Sequence, residues 1–160
     1  MKNIIFGDIT TANTHEINII VHGCNAHGIM GSGVAASIRT KWPGAFYEYS
    51  SYVKSKGVGN PELLGKVVAY ADADNQIIIA NAITQLDFGR AGKKYVSYQA
   101  VHEAFKTVVE IASGFNGSLG IHYPMIGAGH GGGDWAVISD IIESAFAKHP
   151  YLDHFLWIME

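Results

Sequence analysis

Short apolar segments alternate along the chain with longer segments in which apolar residues recur every three or four positions. The short segments are typical of buried strands and predict six of them: Lys2–Phe6, Ile17–Val21, Val67–Tyr70, Gln76–Ala80, Leu119–Tyr123 and Phe155–Met159. The longer segments predict four helices: Val34–Lys41, Ala45–Lys56, Tyr98–Ala112 and Trp135–Lys148.

The order of these elements indicates how the strands pair. Strands separated by helices need crossover connections, which give parallel pairing in a sheet covered by helices on both faces. The third and fourth strands are separated by Asp72–Asn75, a sequence typical of a tight turn, so we expect an antiparallel hairpin there. The expected fold is therefore a three-layer α/β/α domain with a mixed, mostly parallel sheet of about six strands.

Length and composition narrow the possible functions. A chain of 160 residues fits one domain, which we place at residues 1–160. Charged residues make up only 16% of the chain and the formal net charge is −3, so we expect no surface for a nucleic-acid backbone. The single cysteine, Cys24, excludes an intrachain disulfide and fits a reducing compartment.

The sequence also predicts the cellular location of the protein. The first predicted strand begins at Lys2, so we expect no leader peptide, and no apolar segment reaches the length of a membrane span. We therefore expect a soluble, cytoplasmic monomer that does not associate with membranes.

Two glycine-rich segments each follow a predicted strand and lead into a predicted helix. They are residues 21–35, Val-His-Gly-Cys-Asn-Ala-His-Gly-Ile-Met-Gly-Ser-Gly-Val-Ala, and residues 123–135, Tyr-Pro-Met-Ile-Gly-Ala-Gly-His-Gly-Gly-Gly-Asp-Trp. Loops at the carboxyl ends of strands can direct backbone N–H groups into one crevice, and glycine permits close approach of an anion. Two such loops suit a diphosphate; the alternative interpretation is two ordinary turns.

Two common nucleotide-binding motifs do not explain these loops. Residues Gly31–Ala36 formally match a dinucleotide fingerprint, but residues 22–30 separate them from their strand, and no acidic residue ends a second strand at the required distance. No glycine precedes Lys-Ser or Lys-Thr in the frame of a P-loop.

The two loops resemble those of the macrodomain, a module that binds ADP-ribose. The resemblance covers nearly the whole chain and rests on Phe6–Thr10, His22–Asn25, Met30–Ala35 and Pro124–Trp135. Leu64–Lys66, Phe88–Arg90 and Tyr95–Tyr98 extend it to the branch that contains the yeast ADP-ribose 1''-phosphate phosphatase, the terminal ADP-ribose glycohydrolase and bacteriophage-encoded Appr-1''-p processing proteins.

The resemblance implies an enzyme, a phosphoric monoester hydrolase that binds ADP-ribose and hydrolyses the 1''-phosphate of ADP-ribose 1''-phosphate. Three alternatives stay open: removal of ADP-ribose from a protein carboxylate or a nucleic acid, deacetylation of O-acetyl-ADP-ribose, and binding of ADP-ribose without catalysis. No cofactor is implied.

The resemblance also assigns ligand-binding roles. Asp8 would accept a hydrogen bond from the adenine amine while the Ile9 N–H serves a ring nitrogen, and Trp157 would stack on the base. The alternatives are an Asp8 that caps a turn and a Trp157 that belongs to the core. Backbone groups would surround the diphosphate at Met30, Gly31, Ser32, Gly33, Val34, Ile126, Gly127, Ala128, Gly129 and Gly131.

The candidate catalytic residues are Asn25, which would bind the distal ribose, and three histidines, His22, His27 and His130. Histidine titrates near neutral pH and can protonate a leaving oxygen, although each of the three can instead be structural, His22 as a buried core residue. We expect no metal, because the histidines lack the spacing of metal ligands.

Two further positions distinguish the chain from the terminal ADP-ribose glycohydrolase. That enzyme uses a lysine nucleophile and an acid in the second loop, and the corresponding positions here are Gln85 and Gly131. Because Gln85 cannot form a Schiff base, we expect it only to contact the ligand. Arg90 is either a bidentate clamp for a terminal phosphate or a solvated loop charge.

Overall fold

The computed structural model describes residues 3–89 and 91–159. The strands are β1 (Asn3–Phe6), β2 (Ile17–Asn25), β3 (Val67–Asp72), β4 (Ile77–Gln85), β5 (Leu119–Tyr123) and β6 (Asp153–Ile158). The α-helices are α1 (Gly33–Lys41), α2 (Pro43–Lys56), α3 (Tyr98–Ser113) and α4 (Trp135–Ala147), and short 3-10 helices occupy Ile9–Thr11 and Pro61–Leu63.

The six strands form one sheet in the order β1-β6-β5-β2-β4-β3. The β3–β4 pair is antiparallel and the other neighbouring pairs are parallel. The predicted hairpin is thus confirmed, as is the mixed, mostly parallel sheet. The turn of the β3–β4 hairpin contains Gln76 with φ of 55°, a conformation that residues other than glycine seldom adopt.

Helices cover both faces of the sheet because the side chains of each buried strand alternate between the faces. On β2, Ile19 and Val21 pack with Phe105 of α3 and Ile138 of α4. Ile20 points to the opposite face and packs with Ile38 of α1. The core therefore lies in two layers, one on each side of the sheet, and the three-layer fold is confirmed.

The neighbouring strands β2 and β4 are longer than predicted. The expected ends at Val21 and Ala80 are wrong, because β2 and β4 continue side by side to Asn25 and Gln85. Apart from Ile83, the added residues are polar or small and do not continue the apolar pattern, yet most are buried. His22 and Asn25 thus lie on a strand and not, as expected, on a loop.

The extra length of β2 creates a crevice. β2 pairs with β5 only from Ile17 to Ile20, whereas it pairs with β4 as far as Asn25. Beyond His122, the partner of Ile20, β5 continues only to Tyr123, which pairs with Leu156 of β6, and the chain then enters the second glycine-rich segment. The carboxyl ends of parallel strands separate at this point, which is where open α/β sheets place their ligands.

In residues 3–89 and 91–159, no helix is both long and apolar enough to cross a membrane.

Candidate ligand-binding site

A cavity of about 510 Å³ lies in this crevice. Its walls come from the end of β2, the segment leading into α1, the end of β4 with the loop that follows, and the β5–α4 segment. The sequence-predicted residues that line it are His22, Asn25, Gly31, Ser32, Gly33, Val34, Gln85, Ile126, Gly127, Gly129, His130 and Gly131. The two glycine-rich segments therefore face one another, as expected.

Other predicted residues lie outside the cavity lining, and some lining residues were not predicted. Those outside are Asp8, Ile9, Met30, His27, Ala128 and Trp157, while Arg90 lies outside the described residues. The unpredicted lining residues are Gly23, Cys24, Ile29, Ala35, Phe88, Gly89, Pro124 and Met125. Most of these residues adjoin predicted positions in the sequence. The glycine-rich segments that contain or flank them were therefore the sequence feature from which they could have been predicted.

The β5–α4 segment folds tightly on itself. A Cβ atom at Gly131 would lie 2.7 Å from the carbonyl oxygen of Gly127, and the Gly133 N–H donates to that same oxygen at 2.7 Å. Gly127 also has φ of 74°, a conformation that favours glycine. Gly129 differs, because a Cβ atom there would have no described neighbour within 4 Å. The fold therefore does not require glycine at this exposed, cavity-lining position.

The amino end of α1 supplies further backbone donors. Ser32 precedes the helix, and its side chain makes no capping hydrogen bond to the described residues. By contrast, Ser97 caps α3 through the Ala100 N–H, and Asp134 caps α4 through the Ala136 N–H. The first N–H groups of an α-helix carry partial positive charge and lack partners within the helix. Since Ser32 and Gly33 line the cavity, this end of α1 can bind an anion there.

The side chain of Asn25 organises the loop between β2 and α1. Its Oδ1 accepts from the His27 N–H at 2.9 Å and also lies 2.9 Å from the hydroxyl of Tyr49, which donates to the Asn25 carbonyl oxygen at 2.6 Å. Nδ2 of Asn25 donates to the carbonyl oxygen of Ile29 at 2.9 Å. A carboxamide has two N–H donors, and the bond to Ile29 uses one. Asn25 can therefore donate to a ligand hydroxyl without releasing the loop.

His22 is buried and paired with Asn81. The Nδ2 atom of Asn81 donates to the carbonyl oxygen of Ala45, so its Oδ1 accepts from Nε2 of His22, at 2.6 Å. Burial lowers the pKa of His22 to about 4, although the hydrogen bond to Asn81 acts in the opposite direction. His22 is thus uncharged at neutral pH, which weighs against the role of proton donor.

The other two candidate histidines differ in position. His130 is exposed and lines the cavity. His27 directs Nε2 at Oδ1 of Asp87, 2.8 Å away, and its ring meets that of Phe88 edge-on with centroids 5.9 Å apart. The geometry therefore favours His130 as the group that can reach a bound ligand.

Asp8 and Trp157 have the contacts of the structural alternatives. Oδ1 of Asp8 accepts from both the N–H and the hydroxyl of Thr10, at 2.9 and 2.8 Å, and so caps the short helix Ile9–Thr11. Trp157 is buried and donates through Nε1 to Nδ1 of His122 at 3.0 Å. Their roles in adenine binding stay predictions.

The described lining of the cavity contains no lysine, arginine, aspartate or glutamate. A bound phosphate would therefore be held by backbone N–H groups, the amino end of α1 and the polar side chains of Asn25, Ser32 and His130. Within the described residues, no group of three or more metal-binding side chains is present.

The fold and the site define a class: α/β/α domains that bind a ligand between two glycine-rich loops at the carboxyl ends of the strands. The sequence identifies the family within this class. The profile described as Macro domain matches residues 21–142, and the chain belongs to this family. The resemblance seen in the sequence is thereby confirmed.

Individual relatives extend the comparison. The chain is similar to the ADP-ribose 1''-phosphate phosphatase of Scheffersomyces stipitis, with 27% identity over 145 residues, covering 81% of this chain and 83% of that protein. The enzyme of the same name from Candida albicans is 31% identical over 121 residues, covering 73% and 74%. A macrodomain protein from Streptomyces coelicolor, 23% identical, shares the fold with a TM-score of 0.78 and 99% coverage of both chains.

Proposed function

We propose that this macrodomain binds ADP-ribose in the cavity and hydrolyses the 1''-phosphate of ADP-ribose 1''-phosphate. The observation that carries the proposal is the cavity between two glycine-rich segments, which provides backbone donors from both sides and from the amino end of α1. Relatives named for this activity align with most of the chain, in agreement with the proposal.

The order of the strands gives the bound ligand a direction. Asp8 and Ile9 follow β1 and Trp157 belongs to β6, on one side of β5, whereas Asn25 ends β2 on the other side. We place adenine on the β1–β6 side, the diphosphate between α1 and the β5–α4 segment, and the distal ribose beside Asn25. The substituent on that ribose then lies towards the end of β4.

The proposed reaction needs a nucleophile, charge stabilisation and a proton. Water attacks phosphorus, the bond from phosphorus to the ribose oxygen breaks, and inorganic phosphate leaves with the oxygen and both protons of the attacking water. Backbone N–H groups of the two loops stabilise the charge on the phosphoryl oxygens. His130 donates its proton to the departing ribose oxygen, since it is the exposed histidine that lines the cavity.

The test is to give the purified chain ADP-ribose, ADP-ribose 1''-phosphate and an ADP-ribosylated protein in parallel. We expect binding of ADP-ribose by calorimetry and release of inorganic phosphate from the 1''-phosphate. Binding of ADP-ribose without release of phosphate would indicate a protein that binds ADP-ribose without catalysis. Cleavage of the ADP-ribosylated protein alone would indicate an ADP-ribosyl hydrolase. Monomeric state and cytoplasmic location stay predictions.

A further inference from the structure

The loop after β4 places an aromatic side chain at the mouth of the cavity. Phe88 lines the cavity although 48% of its surface is exposed. Asn25 is paired with Gln85 at the ends of β2 and β4, and Phe88 follows three residues later. Phe88 therefore lies at the end of the cavity where the proposed function places the substituent of the distal ribose.

The backbone immediately before Phe88 is fixed by several contacts. The carbonyl oxygen of Leu86 accepts from the Ala26 N–H at 3.2 Å, and that of Asp87 accepts from Nε2 of Gln85 at 2.8 Å. The carboxylate of Asp87 accepts from Nε2 of His27 at 2.8 Å. The bonds from Ala26 and His27 join the β4–α3 loop to the β2–α1 loop beside the aromatic ring.

The same loop is fixed again beyond Phe88. The N–H groups of Tyr95 and Val96 both donate to the carbonyl oxygen of Gly131, at 2.7 and 3.0 Å. The β4–α3 loop thus connects the two glycine-rich segments across the cavity. Of its described residues between these two anchors, Phe88 and Gly89 line the cavity.

Three large apolar side chains surround the mouth, one from each loop. Ile29, Phe88 and Met125 are 45%, 48% and 40% exposed and all line the cavity. A peptide or a nucleotide attached to the distal ribose would have to pass this rim, where its polar groups would lose water without gaining partners. A small group such as a hydroxyl or a phosphate would stay below the rim.

We propose that Phe88 is a specificity-determining residue that limits the group on the distal ribose to a small one. His27 is a positioning residue in this arrangement, acting through Asp87 to hold the ring at the mouth. The inference rests on the proposed function, because it requires ADP-ribose in the cavity with its distal ribose at Asn25.

The first experiment measures dissociation constants for ADP-ribose and for a serine-linked ADP-ribosyl peptide, and compares their ratio between variants. Phe88→Ala should improve peptide binding relative to ADP-ribose by roughly tenfold, since the wall is removed. Phe115→Ala is the matched control, because Phe115 is also exposed, at 38%, and lies beyond the end of α3. Its ratio should equal that of the wild type.

The second experiment tests the positioning role with the same ratio. His27→Leu removes the donor to Asp87 and should shift the ratio in the direction of Phe88→Ala, whereas His27→Gln keeps a donor and should restore most of the selectivity. His15→Leu is the control, because His15 makes a similar 2.9 Å contact to Asp153 at the start of β6.

Each outcome bears on a different statement. An unchanged ratio in Phe88→Ala, with wild-type binding of ADP-ribose, overturns the specificity role alone. Equal ratios in His27→Leu and His27→Gln overturn the positioning role of His27. Failure of the wild type to bind ADP-ribose overturns the proposed function, and this inference with it.

Discussion

Nε2 of His22 lies 2.6 Å from Oδ1 of Asn81, and both side chains are buried between the sheet and the α1–α2 layer. The pair joins neighbouring strands, because His22 and Asn81 are direct partners in the β2–β4 register. It stabilises polar residues in the centre of the sheet immediately below the cavity. The neutral form of His22 that this environment requires has a measurable consequence.

Stability should fall as the pH is lowered from about 6.5 towards 4. Burial lowers the pKa of His22 to about 4, and burial together with the nearby His15 lowers the pKa of His122 to about 4. The unfolded chain binds these protons near pH 6.5, so the stabilising contribution is complete above that pH and is lost as the pH approaches 4. The loss would be on the order of 3 kcal/mol for each histidine.

Urea unfolding at several pH values measures this loss, and NMR titration of the imidazole C–H signals assigns it. The control is His102, which is exposed on α3. Titration of His22 and His122 near pH 6.5 would contradict the prediction.

Substitution by valine should have different effects at two glycines of the β5–α4 segment, one on ligand binding and the other on stability. Gly129→Val should leave the protein folded but abolish ADP-ribose binding, because a Cβ atom there meets no described neighbour within 4 Å, and we expect the larger side chain to take up space that the ligand needs at this lining position. Gly131→Val should destabilise the fold, because its Cβ would lie 2.7 Å from the carbonyl oxygen of Gly127. Thermal unfolding and calorimetry separate the two effects. Normal binding by Gly129→Val would mean that the segment is an ordinary turn.

Removal of His130 should reduce turnover with little effect on affinity. If His130 is the general acid, His130→Ala should lower the rate of phosphate release by roughly 10²–10⁴-fold while the dissociation constant of ADP-ribose changes little. His102→Ala serves as the comparison and should keep the wild-type rate. A His130→Ala enzyme of normal rate would exclude this histidine from the chemistry.

Asn25 should have both a structural and a catalytic effect, and Tyr49 distinguishes them. Asn25→Ala should lower turnover at least about tenfold, a loss of about 1.4 kcal/mol in transition-state stabilisation. Tyr49→Phe removes the hydroxyl that bonds to Asn25, at a residue that does not line the cavity. That variant should lose about 1 kcal/mol of stability in urea and retain most of its turnover. Equal losses of turnover in both variants would argue that Asn25 acts only through the loop.

Most of the fold and much of the candidate site could be predicted from the sequence. The features that could not be predicted, the ends of β2 and β4 and the position of Phe88, have physical reasons. Apolar segments located all the strands, and the Asp72–Asn75 turn indicated the antiparallel pair. The ends of β2 and β4 were missed because buried polar residues such as His22 and Asn81 satisfy one another through tertiary contacts that no local pattern reveals. Phe88 gave no periodic signal, since it lies on a loop whose position depends on bonds to Ala26 and His27, which are distant in the sequence.

The start of α1, where Ser32 caps no N–H group of the described residues, has a consequence for the stability of the protein. A bound phosphoryl group would serve as the missing cap, so part of the free energy of binding would be recovered as helix stability. Melting temperature should then rise with ligand concentration, and exchange of the amide hydrogens at the first turn of α1 should slow. In the absence of ligand, any small oxyanion abundant in its surroundings would compete for this helix end, and the inorganic phosphate released by the proposed reaction would be a weak inhibitor of it.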